Sequence, residues 1–158
     1  LMNIDIIAVG KIKEAFFRSA IDEYSKRMSA FSKLTITEIP DEKIPDNASE
    51  KECEKIKETE GKKILSKIKP GTVAALCIEG KLLSSEDLAE FMKKTANTSS
   101  RITFIIGGSL GLSDEVKNRA DIKISVGRIT LPHQLMRVVL LEQIYRGFKI
   151  NSNQSYHK

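Results

Sequence analysis

Two short, nearly uninterrupted apolar runs, Thr72 to Ile78 and Ile102 to Ile106, constrain this chain more than any other feature. A strand that is apolar on both faces is stable only in a sheet with helices on both sides, the setting of a parallel α/β sheet. Runs this short favour strands over buried helices.

The remaining segments supply the alternation such a sheet needs. Asn3 to Val9 reads as a strand, and Glu14 to Met28 places Phe17, Ile21, Tyr24 and Met28 at helical spacing. Leu34 to Ile39 is a second strand ending at Pro40, and the polar stretch Asp41 to Ala48, with Pro45, is a loop. Ser49 with Glu52 forms a capping-box pattern, opening a helix with Cys53, Ile56, Ile64 and Ile68 on its apolar face until Pro70-Gly71 stops it. After the strand Thr72 to Ile78, Glu79-Gly80-Lys81 reads as a turn, and Ser84 with Asp87 caps a helix carrying Leu88, Phe91, Met92 and Ala96. Ser113 starts a short helix, Ile122 to Val126 is a fifth strand, and Leu135 to Phe148 is a long, largely apolar final helix. The predicted fold is α/β, a mainly parallel, doubly wound sheet in one domain over residues 1–158, with its ligand crevice past the carboxyl ends of the strands. Three loops qualify for that crevice, those after Ile78, Ile106 and Val126.

Composition narrows the functional classes. At 158 residues with 41% hydrophobic content the chain can bury a proper core, and no apolar stretch approaches the roughly 20 residues of a membrane helix. Leu1 ahead of Met2 reads as a cloning remnant, no signal pattern follows, and a soluble cytoplasmic protein is expected. Cys53 and Cys77 lack metal-ligand spacing and only two histidines are present, so no metal site is expected. Residues 1–122 are charge-balanced, whereas residues 123–158 hold six Lys and Arg against Glu142 alone. A local basic surface of that kind attracts phosphate, as in RNA or a nucleotide; a plain solvated face is the alternative.

The motifs concentrate between Ile105 and Tyr145. Gly107-Gly108-Ser109-Leu110-Gly111 follows a strand but is neither a P-loop nor GxGxxG. In Ile129-Thr130-Leu131-Pro132-His133 the proline stiffens the turn that presents His133, and Arg137 follows four residues later on the same helical face. An arginine on an apolar helix needs a partner, either a carboxylate such as Glu142 or an external phosphate. The helix itself is apolar on more than one side, so it lies either deep in the core or partly against a second subunit. The ending Tyr156-His157-Lys158 follows a segment without a core pattern and reads by itself as a frayed terminus.

Taken together, Ala8 to Lys11, Ile105 to Leu112, Thr130 to His133, Arg137 to Val139, Glu142 to Arg146 and Tyr156 to Lys158 resemble the ribosomal large subunit methyltransferase H family, over essentially the whole chain. That family is of the SPOUT class, which implies a C-terminal trefoil knot, S-adenosylmethionine as methyl donor and a homodimer. General topology rules disfavour knots, so periodicity could not have suggested one. The resemblance further implies methylation of N3 of a pseudouridine in 23S ribosomal RNA, in the stem-loop that bridges the subunits, on the assembled ribosome. It assigns donor binding to Leu76, Gly107, Val126, Gly127, Arg128, Ile129, Thr130 and Leu131. Leu110, where relatives often carry a polar residue, and Gly127, in place of a common serine, depart from the family pattern.

For the chemistry, the resemblance singles out His133, Arg137, Tyr156 and His157. A sulfonium methyl is already activated, so positioning dominates and the imide proton must leave. Either His133 or His157 has a pKa range suited to accept it, while Arg137 and Arg146 suit a phosphate or a developing anion. The tail with Tyr156 and His157 is expected to fold over the donor, with a partner subunit completing each pocket. Two rival classes remain at this stage: a noncatalytic RNA-binding module, and an enzyme using another nucleotide in the same crevice. The first lacks RRM, KH and zinc-knuckle patterns, and the second lacks the P-loop and GxGxxG.

Overall fold

The computed structural model describes residues Leu1–Lys158. Five strands form one sheet in the order β2-β1-β4-β3-β5, and every pairing is parallel. The strands are β1 (Met2–Val9), β2 (Ser32–Ile39), β3 (Thr72–Leu82), β4 (Arg101–Ile106) and β5 (Ile122–Ser125). They alternate with helices α1 (Ala15–Met28), α2 (Glu50–Lys67), α3 (Ser85–Ala96), α4 (Asp114–Arg119) and α5 (His133–Asn151). The α/β reading is thereby borne out.

Period-two alternation along β1 explains why helices are needed on both faces. Ile4, Ile6 and Ala8 point into one core with Phe104, Leu140, Leu141 and Ile144, and Ile7 and Val9 point into another with Ile64, Leu112 and Val116. Helices α1, α3 and α5 cover the first face, and α2 with α4 covers the second. The helix starts are set by local chemistry: Ser49 and Ser84 each complete a capping box, and the Ser113 side chain accepts from the Val116 N–H.

Two expectations are corrected. Glu79-Gly80-Lys81 does not end β3; the strand continues to Leu82 through an irregularity in which both Leu76 and Lys81 oppose Ile124 of β5. A Cβ on Gly80 would lie 2.6 Å from the Ile124 backbone carbon, so glycine serves close strand approach there and not a chain reversal. The last helix is also longer than its apolar stretch suggests, starting at His133 and running to Asn151.

Helix α5 packs against both α1 and α3. The connection from β3 to α3 closes over the end of β5, where the Leu83 N–H donates to the Ser125 carbonyl at 3.4 Å. The parallel α/β architecture is consistent with the trefoil knot that the resemblance implies.

Candidate active site at the carboxyl edge of the sheet

The loop from Val126 to Pro132 is the central feature of the site. It leaves β5 at one edge of the sheet, and at its far end the His133 ring packs on Gly10, just after β1. Since β3 and β4 lie between β5 and β1, the loop spans the carboxyl ends of both. At its start, the Ser125 hydroxyl donates to the Gly127 carbonyl (3.0 Å) and accepts from the Gly127 N–H (3.2 Å). Gly127 sits at φ +142° with nothing near its Cβ position, so backbone conformation alone requires glycine there. Val126, Arg128, Ile129 and Thr130 are exposed along the loop, Ile129 at 81%, and Leu131 is half-buried.

At its carboxyl end, β4 runs into a tight turn. The Gly111 N–H donates to the Gly108 carbonyl at 3.0 Å, and a Cβ on Gly107 would meet Leu112 at 2.9 Å and Gly111 at 3.0 Å. The turn thus presents bare backbone. Separately, a cavity of about 280 Å³ opens between the start of α3 and the middle of α5, lined by Leu83, Leu88, Ile124, Val126, Leu140 and Gln143. Leu76 pairs with Ile124 at the floor of this region. Of the residues chosen from sequence, Val126 lines this cavity, Leu76 lies in the β3 ladder opposite Ile124, and Gly107 follows the end of β4.

The four residues singled out for chemistry fall into two groups. Arg137 is 1% exposed, donates to Glu38 Oε2 (2.6 Å) and to the Gly10 carbonyl (3.1 Å), and leaves Nε without a partner. Its partner is thus a carboxylate of the same chain, Glu38, and not Glu142. Burial pushes the Glu38 carboxyl up, but hydrogen bonds from Arg137 and the Ile12 N–H, with the charges of Arg137 and Arg18, hold it below the usual range. His133 packs so closely on Gly10 (φ +99°) that a Cβ there would lie 2.7 Å from its Cε1. Burial, then the Arg137 charge, lowers the His133 pKa, which favours the neutral ring.

The second group is the C-terminal tail, which is docked rather than frayed. Tyr156 OH donates to Glu142 Oε1 at 2.8 Å, its ring meets Tyr145 edge-on at 5.0 Å, and Arg146 lies over it at 4.7 Å. Arg146 also forks onto both Glu142 oxygens (3.2 and 2.9 Å) and reaches His157 Nδ1 at 3.2 Å. His157 Nε2 lies 2.6 Å from Glu86 Oε1. An arginine only donates, so His157 Nδ1 accepts, the proton sits on Nε2, and Glu86 receives it. The network reaches the cavity rim, where Ser85 donates to Gln143 at 2.5 Å. From His133 to Arg146 is 13 residues of helix, about 20 Å, so one chain does not join the two groups.

The basic segment is also redistributed by folding. Arg137 and Arg146 are paired with Glu38 and Glu142, which leaves Lys123, Arg128 and Lys158 exposed. Lys11 and Lys13, from the balanced part of the chain, are exposed on the loop that holds His133. Sequence reasoning missed Glu38 and Glu86, and it gave no role to Gly10 and Gln143 although both lie in segments that carry the resemblance. A lone carboxylate in the otherwise apolar and threonine strand before Pro40 was the one available signal, and it pointed to no partner.

Parallel α/β domains bind ligands in the loops past the carboxyl ends of their strands, which is where the glycine-bearing loops of this chain lie. Residues 2–157 match the family described as predicted SPOUT methyltransferase. The ribosomal RNA large subunit methyltransferase H proteins of Lactococcus lactis subsp. cremoris (strain SK11) and Clostridioides difficile (strain 630) are each 57% identical, across 99% of this chain and all of theirs. A solved structure described as a probable methylase family protein from Haemophilus influenzae Rd KW20 shares the fold, with a TM-score of 0.52 at 11% identity over 99% of this chain and 70% of that one. The chain belongs to the SPOUT methyltransferases and, within them, to the ribosomal RNA large subunit methyltransferase H family.

Proposed function

We propose that this protein is a cytoplasmic homodimer that transfers a methyl group from S-adenosylmethionine to N3 of a pseudouridine in 23S ribosomal RNA on the assembled ribosome. The observation that carries the reading is the loop from Val126 to Pro132, which spans the carboxyl ends of β3 and β4. Full-length similarity to proteins of that name supports it. No helix is long and apolar enough to cross a membrane, and no cluster of metal ligands is present.

The residues fit the donor. Gly107 has no room for a side chain, Val126 lines the cavity with Leu83, Leu88 and Ile124, and the backbone of Gly127, Arg128, Ile129, Thr130 and Leu131 continues from it with N–H and C=O groups to offer. When bound, S-adenosylmethionine supplies a methyl activated by its sulfonium. The chain's task is then orientation and exclusion of water. Arg137 and His133 both contact Gly10, and exposed Lys11, Lys13 and Arg128 attract the RNA backbone.

The roughly 20 Å between His133 and the tail argues for a dimer in which the Tyr156 and His157 of one subunit meet the loops of the other. The deciding experiment is methyl transfer to ribosomes from cells lacking the endogenous enzyme, with the product mapped to the modified base. Methylation at a pseudouridine N3 is the expected result. Donor binding without any transfer to ribosomes would overturn the substrate assignment.

A further inference from the structure

Among six phenylalanines and three tyrosines only Phe16 is exposed, at 66%, and it stands in the first turn of α1, directly after the loop that packs on His133. Its neighbour Phe17 packs on the core instead. A single apolar residue at a surface is ordinary, so the surroundings of this one decide its meaning.

The loop before Phe16 is held from within. Gly10 N–H donates to the Ile39 carbonyl at 2.7 Å, Ile12 N–H to Glu38 Oε2 at 3.0 Å and Lys13 N–H to Gln134 Oε1 at 2.9 Å. Arg18 Nη2 donates to the Ile12 carbonyl at 2.9 Å, and the Ile12 side chain is buried. What remains outside is Lys11 and Lys13, both exposed and, unlike Arg137 and Arg146, in no ion pair. From Lys11 to Arg18 the chain carries three cations against Glu14 alone. Three peptide units separate Lys13 from Phe16, so their Cα atoms lie within about 11 Å of each other.

An exposed ring on a fixed segment beside two unpaired cations suits single-stranded nucleic acid, whose bases stack on aromatic faces while its phosphates meet ammonium groups. We propose that the segment from Lys11 to Phe16 is a docking surface for an unpaired stretch of RNA, with a base stacked on Phe16 and the flanking phosphates on Lys11 and Lys13. A second copy of this chain is the poorer occupant, because the segment set against itself would bring like charges together. An apolar protein surface would find one ring among charged neighbours. The contacts of Gly10 with His133 and of Lys13 with Gln134 put this surface beside the end of the loop from Val126 to Pro132, so RNA held there adjoins the crevice. This role rests on the reading of the substrate as RNA.

Two measurements on the full-length protein test it. In methylation of ribosomes, Phe16→Ala should raise KM for ribosomes about tenfold with donor affinity and melting temperature unchanged, and Phe16→Trp should restore KM where Phe16→Leu does not. Replacing Lys11 and Lys13 together by glutamine should also raise KM and flatten its rise with salt. A wild-type KM in Phe16→Ala overturns the docking surface. So does full rescue by leucine, which marks a protein contact, or altered sedimentation of Phe16→Ala, which marks a contact between copies. The second measurement needs no turnover, since the chain lacks tryptophan and Phe16→Trp places a single emitter at the ring position. A short oligouridylate at low salt should quench its fluorescence, and less so in the protein without Lys11 and Lys13. Absence of quenching overturns the surface, whereas quenching by RNA in a protein whose wild type fails to methylate ribosomes strikes the substrate reading and leaves the surface standing.

Discussion

Arg137 on the last helix and Glu38 at the end of the second strand meet at 2.6 Å across 99 residues of sequence, with the arginine side chain 1% exposed and the glutamate 39%. This contact ties the start of α5, and with it the end of the loop over the strand ends, to the far side of the sheet. Removing the arginine leaves a partly hydrated carboxylate and a large void.

Arg137→Ala should lower the free energy of unfolding by about 2–3 kcal/mol, below the full cost of a broken buried pair because Glu38 keeps some solvent. Urea denaturation measures it, and a midpoint equal to wild type would contradict the central role of the pair. The variant should still fold at 25 °C and fail to methylate ribosomes.

The same pair sets an acid limb. The folded Glu38 pKa is depressed, so its contribution is complete above the unfolded value of about 4.3 and is lost as pH falls through the folded value. Thermal midpoints of wild type should therefore drop below that pH, and those of Glu38→Gln should drop less steeply. Parallel curves would show that Glu38 is not the titrating group.

Glu60 behaves in the opposite sense. It is 5% exposed, and burial, with Asp41 and Glu42 nearby, raises its pKa despite the hydrogen bond from the Glu42 N–H. Its ionisation costs stability as pH rises through the folded value. Glu60→Gln, which keeps an acceptor for Glu42, should raise the melting temperature at pH 7.5 and bring no gain near pH 4. A gain at both values would point to packing.

Gly127→Ala probes the loop without touching the core. No atom lies near the Cβ position, so the cost is the positive φ alone, about 1–2 kcal/mol, felt as loss of the loop conformation. Donor affinity by calorimetry should fall roughly tenfold, while global stability changes by less than about 1 kcal/mol. Unchanged affinity would exclude this loop from the donor site.

Deleting Ser155 to Lys158 removes the Tyr156 and His157 contacts to Glu142 and Glu86. These are partly solvated, so the melting temperature should shift by only a few degrees. Transfer to ribosomes should be lost. A truncated enzyme that works at the wild-type rate would leave the tail without a catalytic part.

Much of this architecture was legible in order along the chain. The doubly apolar runs at β3 and β4, the capping serines at 49, 84 and 113 and the glycine turn after Ile106 all act within a few residues, and each appears in the structure where local chemistry places it. The turn expected at Gly80 was misread because glycine there answers a neighbour, Ile124, which lies 44 positions away. The segregation of positive charge near the C-terminus was equally misleading, since pairing with Glu38 and Glu142 neutralises part of it.

Period, capping and composition settle which segments become strands and helices, because those preferences depend on neighbours within a turn or a pleat. Which carboxylate meets Arg137, which way His133 faces, and that the tail docks on Glu86 and Glu142 were decided only by the packed fold. Such contacts join groups far apart in the chain, and their energies exist only once the sheet order has brought those groups together.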